Sequence, residues 1–490
     1  MGVHNNSWPN LRRALMERVF HVEGPGGGLV PPPKPARGAF DRLLAFRAAV
    51  AKAIGPAVPL SVAQVVDLYR GDRRHKMYLR AAESLLVEDL QPRDAWVSAF
   101  VKAEKLNLDK KPDPAPRIIS PRSPRYNLRI GQYLKHIEKR VFEGIRQVYQ
   151  AKWGCRGPIV CKGLTALGLG KVMRSKWDGF SDPVAVGLDA SRFDQHVSEQ
   201  ALRWEHGLYL SLYRGEPQRD LARLLGMQVV NYGVAKLRSG RVKFKVRGGR
   251  MSGDINTSLG NCVIMTGLVY RYAEEKGIRI DLANNGDDCV VIMERRDLAA
   301  FQAGLDQWFL AFGFSMKVEQ PVYHFSQIEF CQTKPIRVAE GWTMCRTLAG
   351  LSKDVYTILP IDMGRMAYGW ATAISDSGLA IASGVPVFGA LYKKLAKLGQ
   401  GIKLGTHPAM VGGGLKYMAD GMTKGSDYVS DQTRVDFWDA FGMPPYIQRA
   451  LEEHIEHACV SLDTRAVIRK RITEYADTDV LSLRHHAYVR

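Results

Sequence analysis

Asn284-Asn285-Gly286-Asp287-Asp288-Cys289 is the stretch on which the reading of this chain turns. Largely apolar runs flank it, Ile278–Ala283 before and Val290–Ile292 after. That pattern is a strand, a tight turn supplied by Asn-Gly, and a returning strand. Two adjacent acids at a hairpin tip between buried strands repel each other unless a cation sits between them, and oxygen ligands select a hard divalent ion. A solvent-exposed turn of the same composition is the competing reading, and the hexapeptide alone does not separate the two.

A second acidic element breaks the tie. Val184-Ala-Val-Gly-Leu-Asp189-Ala-Ser-Arg-Phe-Asp194 is an apolar strand ending in one Asp, with another five residues later. An Asp at a strand end can meet the hairpin acids Asp287 and Asp288 of a neighbouring strand and complete a two-ion site for in-line phosphoryl displacement. Metal hydrolases use similar carboxylate clusters, so nuclease and phosphatase chemistry stay open here.

A third element lies between the other two. Arg250-Met-Ser252-Gly253-Asp-Ile-Asn-Thr257-Ser-Leu-Gly-Asn261 is a glycine-bearing loop that runs into a helix. Thr257 and Asn261 are four apart and project from one helix face. A hydroxyl and an amide aimed together suit the reading of a sugar hydroxyl.

Residues 101–140 hold eleven Lys or Arg against four acids. Polymerising nucleoside triphosphates requires cations on the triphosphate, because charge builds on the departing pyrophosphate. Phe100-Val-Lys102-Ala-Glu-Lys105 and Pro116-Arg117-Ile-Ile-Ser-Pro-Arg122-Ser-Pro-Arg125-Tyr126 supply them. Arg suits bidentate phosphate contact and Lys gives a mobile point charge. Arg122 and Arg125 also suit an RNA backbone. Arg241-Val-Lys-Phe-Lys-Val-Arg247 alternates strictly, placing Val242, Phe244 and Val246 inward and Lys243, Lys245 and Arg247 on one RNA-facing side.

Taken together, these pieces resemble the RNA-dependent RNA polymerases of positive-strand viruses, above all the tombusvirus-like plant virus group (Tombusviridae and umbraviruses). They run in that family's order: Lys102, Lys105 and Arg117; Asp189 and Asp194; Ser252, Gly253, Thr257 and Asn261; Gly286-Asp287-Asp288; Lys317 after Phe312-Gly-Phe-Ser-Met; and Ile328-Glu-Phe-Cys-Gln332. Val3-His-Asn-Asn-Ser7 and Gly154–Leu164 are similar to the group as well, so the resemblance covers about residues 3–335.

The resemblance implies an α+β fold in a closed right hand of fingers, palm and thumb with a central antiparallel palm sheet. Residues 1–183 would be the N-terminal segment and fingers with fingertips. Residues 184–340 would form the palm, with a fingers insertion near 205–250, and 341–490 a helical thumb and C-terminal region. It also implies Mg2+, with Mn2+ as a substitute, held by Asp189, Asp287 and Asp288. Lys102, Lys105 and Arg117 would meet the triphosphate. Asp194 and Asn261, helped by Ser252 or Thr257, would choose ribose over deoxyribose, since a deoxynucleotide leaves their polar groups unpaired. Lys317 is placed to protonate the pyrophosphate. Template and product RNA and nucleoside triphosphates are the expected partners.

Composition agrees with a polyanionic partner. Of 490 residues 46% are apolar, and 69 Lys and Arg face 49 Asp and Glu for a formal charge of +20. Length suggests roughly two to four domains at about 100–200 residues each. Seven scattered cysteines without a Cys-x-x-Cys pair argue against a disulfide framework. His454, His457 and Cys459 lack a second ligand pair at zinc spacing, which favours a solvated helix face over a metal site. No apolar run approaches the ~20 residues of a membrane span, and no signal peptide is visible. Recruitment to membrane-associated replication complexes in the host cytoplasm therefore falls to a membrane-binding viral replication protein, or to an upstream part missing here.

Two rivals remain. A reverse transcriptase shares the metal site but carries a bulky residue where this chain has Asp194 and an aromatic before the paired acids. A non-catalytic RNA-binding or capsid protein suits the charge but would show a basic low-complexity arm and no acidic cluster.

Overall fold

The computed structural model describes residues 2–24, 26–108, 112–357, 364–403 and 414–460. Most of the glycine-rich interruption at 399–414, and the end of the helical region at 461–490, lie outside the described residues. In chain order the strands are β1 (Val22–Glu23), β2 (Leu29–Val30), β3 (Val97–Val101), β4 (Ile118–Ile119), β5 (Pro183–Ala190), β6 (Val230–Leu237), β7 (Gly240–Arg247), β8 (Ile280–Asn285), β9 (Asp288–Glu294), β10 (Met316–Val318), β11 (Thr333–Val338) and β12 (Gly341–Arg346). With the helices between them they make an α+β chain.

The acids sit on a four-stranded sheet in the order β10-β5-β9-β8, with every neighbouring pair antiparallel. β5, β8 and β9 are buried on both faces, which is why they read as apolar runs and not as alternating strands. Val186, Leu282 and Val291 join the core of Cys262, Met265 and Val269 from the helix Thr257–Lys276. Ala185, Ala283, Val290 and Ile292 pack with Met173 and Trp177 of the helix Ala166–Trp177. Each such Val or Ile contributes about 1.5–3 kcal/mol relative to exposure, so β5 and β9 are clamped from both sides.

From Leu259 to Val269 the helix Thr257–Lys276 is buried on every side because it runs through this core. A Cβ on its Gly267 would lie 2.8 Å from the Trp204 ring, so the helix approaches its neighbour through glycine.

A second sheet, order β4-β3-β6-β7, is mixed: β3 and β6 run parallel, the other pairs antiparallel. Its inner face brings Ala99, Val101, Ala235 and Phe244 onto Leu11, Ala14 and Leu15 of the helix Trp8–Leu15. A third unit pairs β11 with β12. It shares a core with Trp370, Phe388, Tyr392 and Phe437 from three C-terminal helices, Arg365–Ala382, Phe388–Gly399 and Asp431–Phe441. No helix among the described residues is long and apolar enough to cross a membrane.

Several local expectations change. Ile328–Cys331 is not a strand. Cys331 and Gln332 take φ of 53° and 57° in a tight turn that opens the β11–β12 hairpin, while Ile328 and Phe330 are buried from irregular backbone. The segment 61–90 is two helices, Val62–Asp67 and His75–Val87, split around Gly71 at φ 82°. The helix expected over Leu128–Phe142 is likewise two, Pro124–Leu134 and Glu138–Trp153. The first of these opens with Ser123 accepting from the Tyr126 N–H and Pro124 in its first turn.

The stretch Gly24–Gly38 is also more than a linker. β2 pairs with β1, Ala36 N–H donates to Ala311 O over 2.8 Å, and Pro33 and Pro35 lie against Gly313. Val242 lies across from buried Ala235 and so keeps the inward parity, but on edge strand β7 it stays 41% exposed.

Candidate active site

Asp189, one residue from the end of β5, has two cross-strand neighbours: Asp288 on β9 and Lys317 on β10. The hairpin sets this register. Asn285 pairs with Asp288, leaving Gly286 and Asp287 as the two-residue turn. Gly286 takes φ 88°, a region that a Cβ resists. The turn thus falls one residue later than Asn-Gly implies, so Asp288 begins the strand and Asp287 alone occupies the tip. Buried Asn284 braces it, donating from Nδ2 to Gly286 O (2.7 Å) and accepting from the Gly286 N–H (3.3 Å). Lys162 Nζ donates to Asn285 Oδ1 over 2.6 Å, which adds a cation beside the acids.

The acids repel one another. Burial pushes the Asp288 carboxyl up to about 6, with further push from Asp287 and Asp189. Burial, then Asp189, raises Asp287. Glu319, whose backbone N–H pairs with Gly187 O, is raised by burial and by Glu329, Asp189 and Asp288. Such an all-oxygen donor set, whose carboxyls raise one another despite Lys162 nearby, fits a hard divalent cation. Among the described residues no three His, Cys, Asp or Glu side chains already converge on one metal position. Asp189 and Asp288 stand opposite each other on β5 and β9, with Asp287 in the turn beside them, so sharing an ion would require their side chains to turn toward it.

One pocket joins Asp287 to Asp194, Ser252, Lys102 and Arg117. It is also lined by Arg18, Arg192 and Arg250, which the sequence reading did not single out. Burial, then repulsion from Arg192 and Arg117, pushes the Arg18 guanidinium down to about 10, still charged at neutral pH. Lys102 Nζ and Arg117 Nη1 both reach Glu104 Oε2 at 3.2 Å. The wall is therefore rich in cations that share few anions, which suits a phosphate chain.

Asp194 is half-buried and its carboxyl is raised, first by its removal from water; Asn261 and Arg250 oppose the shift. Asn261 Nδ2 donates to Asp194 Oδ1 over 2.7 Å, while Arg250 Nε donates to Asn261 Oδ1 over 3.1 Å. Because the guanidinium can only donate, it fixes which end of the amide faces Asp194. Arg250 is in turn ion-paired with Glu205, both side chains fully buried, and its Nη1 has no partner.

The other expected site residues are placed as follows. A Cβ on Gly253 would lie 2.4 Å from Pro121 Cα, so glycine lets the loop run against the basic segment. Ser252 Oγ donates to Ile118 O (3.0 Å) from the pocket wall. Thr257 does not join Asn261, because its hydroxyl donates to Met251 O and Asp254 O within its own loop. Lys105 turns away from the pocket: its Nζ donates to Lys353 O over 2.6 Å.

Arg122 does not face RNA. It is buried against Asp254 (2.5 Å), Ala95 O and Asn231, where it ties the basic segment to the loop before Thr257. Arg125 is mostly covered and braces Asp94, Ser84 and two carbonyls. Lys243 and Lys245 are exposed, and Arg247 is exposed but ion-paired with Glu199. All seven cysteines are free thiols.

The sheet, the hairpin acids, the Asp194–Asn261 pair and the cationic wall thus meet around one pocket. A family model described as viral RNA dependent RNA polymerase matches residues 1–463, and the chain belongs to that family. Within it, the chain is 44% identical over 94% of its length to the RNA-directed RNA polymerase of Tobacco necrosis virus (strain A). The corresponding values are 42% over 92% for that of Melon necrotic spot virus and 41% over 93% for that of Tomato bushy stunt virus (strain Cherry). The chain spans 63%, 56% and 54% of those three relatives' lengths.

Proposed function

We propose that this chain is the catalytic part of a positive-strand virus replicase, copying RNA from ribonucleoside triphosphates. The observation that carries the reading is the placement of Asp287, the Asp194–Asn261 pair and the Arg18, Lys102 and Arg117 cations around one pocket. On this reading β10-β5-β9-β8 is the palm of a closed right hand, residues 1–183 are mainly fingers, and the helices beyond residue 341 form the thumb. The mechanism is two-metal nucleotidyl transfer. Asp189, Asp287 and Asp288 would hold Mg2+ or Mn2+, which when bound activates the attacking hydroxyl and offsets charge on the leaving oxygen.

The chain's own groups do the rest. Arg18, Lys102 and Arg117 bind the triphosphate and release Glu104 to do so. Asp194 accepts from the ribose hydroxyl, directly or through Asn261. Lys317, beside Asp189 across the strands, gives its Nζ proton to the pyrophosphate as it departs. Partners are template and product RNA and a membrane-binding viral replication protein, which would bring the chain to membrane-associated complexes in the host cytoplasm. The reverse-transcriptase alternative, which calls for a bulky residue at position 194, conflicts with the Asp194–Asn261 carboxylate–amide pair on the pocket wall.

The test is synthesis on a short unprimed RNA with Mg2+ or Mn2+, using ribo- and deoxyribonucleotides in parallel. Ribonucleotide-dependent full-length product supports the reading. Asp189→Ala and Asp287→Ala should abolish it and leave RNA binding nearly intact, since phosphate contacts come from Lys and Arg. Substantial activity in either variant, or a preference for deoxynucleotides, would overturn it.

A further inference from the structure

The outward face of the β4-β3-β6-β7 sheet carries a feature that catalysis does not use. Trp96 and Tyr232 are 36% and 42% exposed, yet their rings stack on each other with centroids 5.8 Å apart and planes 20° from parallel. They are adjacent by register, since Val97 pairs with Gly233 on the parallel strands β3 and β6. Tyr232 pairs in turn with Lys245 on β7, whose Nζ stands 5.3 Å from the Tyr232 ring centroid. One line across three strands therefore reads tryptophan, tyrosine, lysine.

Alternation places Lys236, Lys243 and Arg241 on the same face, all exposed. Several acids of the flanking segments are held elsewhere: Asp94 by Arg125, Glu88 by Arg93, Glu199 by Arg203 and Arg247, Asp220 by Arg129 and Arg223, and Asp254 by Arg122. Two large rings left in water among cations that have no ion pair among the described residues are costly for a surface with no partner, and every nucleobase offers a π face to such rings.

The face also leads to the pocket. Lys102 N–H donates to Arg117 O, which continues the β3–β4 ladder, and both residues have the outward parity of Trp96. The six residue steps along extended chain from Trp96 to Lys102 span about 20 Å.

We propose that this face binds single-stranded RNA, with a base stacked on Trp96 and Tyr232 and the backbone held by Lys243 and Lys245. This goes beyond the catalytic reading, because it concerns strand binding outside the pocket and requires no chemistry there. Selectivity for single strands follows from the platform, since a duplex keeps its bases stacked inside and offers only phosphates.

Equilibrium binding of the full chain to an unstructured oligouridylate and to an RNA duplex of equal charge tests the proposal. Trp96→Ala and Tyr232→Ala should each weaken oligouridylate binding roughly tenfold, about one stacked base, with a smaller change for duplex. Tyr232→Phe keeps the ring and should bind as the parent does. Lys245→Gln should lower the salt slope of binding by about one. Incorporation at saturating template should be unchanged in the three ring variants, which separates this site from the catalytic one. In the parent, oligouridylate should quench Trp96 emission, a signal absent from Trp96→Phe. Unaltered oligouridylate affinity in both alanine variants, or equal weakening toward duplex, would show a plain polyanion surface and overturn the stacking assignment.

Discussion

Asn261 donates its side-chain amide to Asp194 over 2.7 Å, and the direction of that bond is set from behind by Arg250. Asp194 therefore keeps one oxygen for a ligand. A deoxynucleotide would leave a buried polar group there unpaired, at about 1–3 kcal/mol. Asp194→Ala should narrow the ribose preference roughly tenfold or more, one decade being about 1.4 kcal/mol. The check is kcat/KM for matched ribo- and deoxynucleotides; losing both in equal proportion would make Asp194 structural.

The cation cluster predicts a split between binding and folding. Arg117→Ala should cost about 2–4 kcal/mol of transition-state stabilisation, comparable to one preorganised donor. Arg18 is crowded by Arg192 and Arg117 in the free protein. Arg18→Met should therefore raise the apparent nucleotide KM while leaving the thermal midpoint level or higher. A flat KM, or a lower midpoint, removes Arg18 from the phosphate path.

Asp288 gives the pH dependence. Its folded value near 6 lies above the ordinary carboxylate 3.8. The folded state thus binds more protons between those values, and metal-free stability falls as pH rises through that window. Mg2+ favours the charged form and should reverse the loss. Thermal midpoints with and without Mg2+ should differ clearly at about pH 7 and converge toward about pH 5. Asp288→Asn should abolish the difference, and an equal Mg2+ effect at both pH values would count against the assignment.

Arg122 tests burial against charge. Arg122→Ala leaves Asp254 buried and unpaired, a loss of about 3–5 kcal/mol. Urea unfolding should show it, while RNA affinity per folded molecule stays at the parent level. A variant that binds RNA poorly but unfolds normally would restore Arg122 to the RNA surface.

What the sequence carries, and what it hides, follows from the range of each interaction. β5 and the β8–β9 hairpin were legible because their signals are local: apolar runs, one turn glycine, and acids at strand ends. The Asp194–Asn261 pair could be reached because each residue lies at a fixed offset from such a signal. Arg122 could not, since its partner Asp254 is 132 residues away and nothing near Arg122 says that it is buried. Arg18 and Arg192 were missed for the same reason: they reach the pocket through the packing of the N-terminal segment, where Arg192 donates to Glu17 O. Thr257 was over-read because helical spacing gives a face but not the competing carbonyls of its own loop.

The stretch carrying Lys102, Lys105 and Arg117 is moored at two points away from the pocket. Leu106 exchanges both backbone hydrogen bonds with Gly2, and Lys105 is seated on the carbonyl of Lys353 in the C-terminal half. Burial brings that lysine down to about 8. The segment that brings Lys102 and Arg117 to the pocket is thus tied to both halves of the molecule, and one tie loses its charge in mildly alkaline solution. Slackening it would loosen the grip on the incoming nucleotide while the acids on β5 and β9, anchored in their own core, stayed where they are.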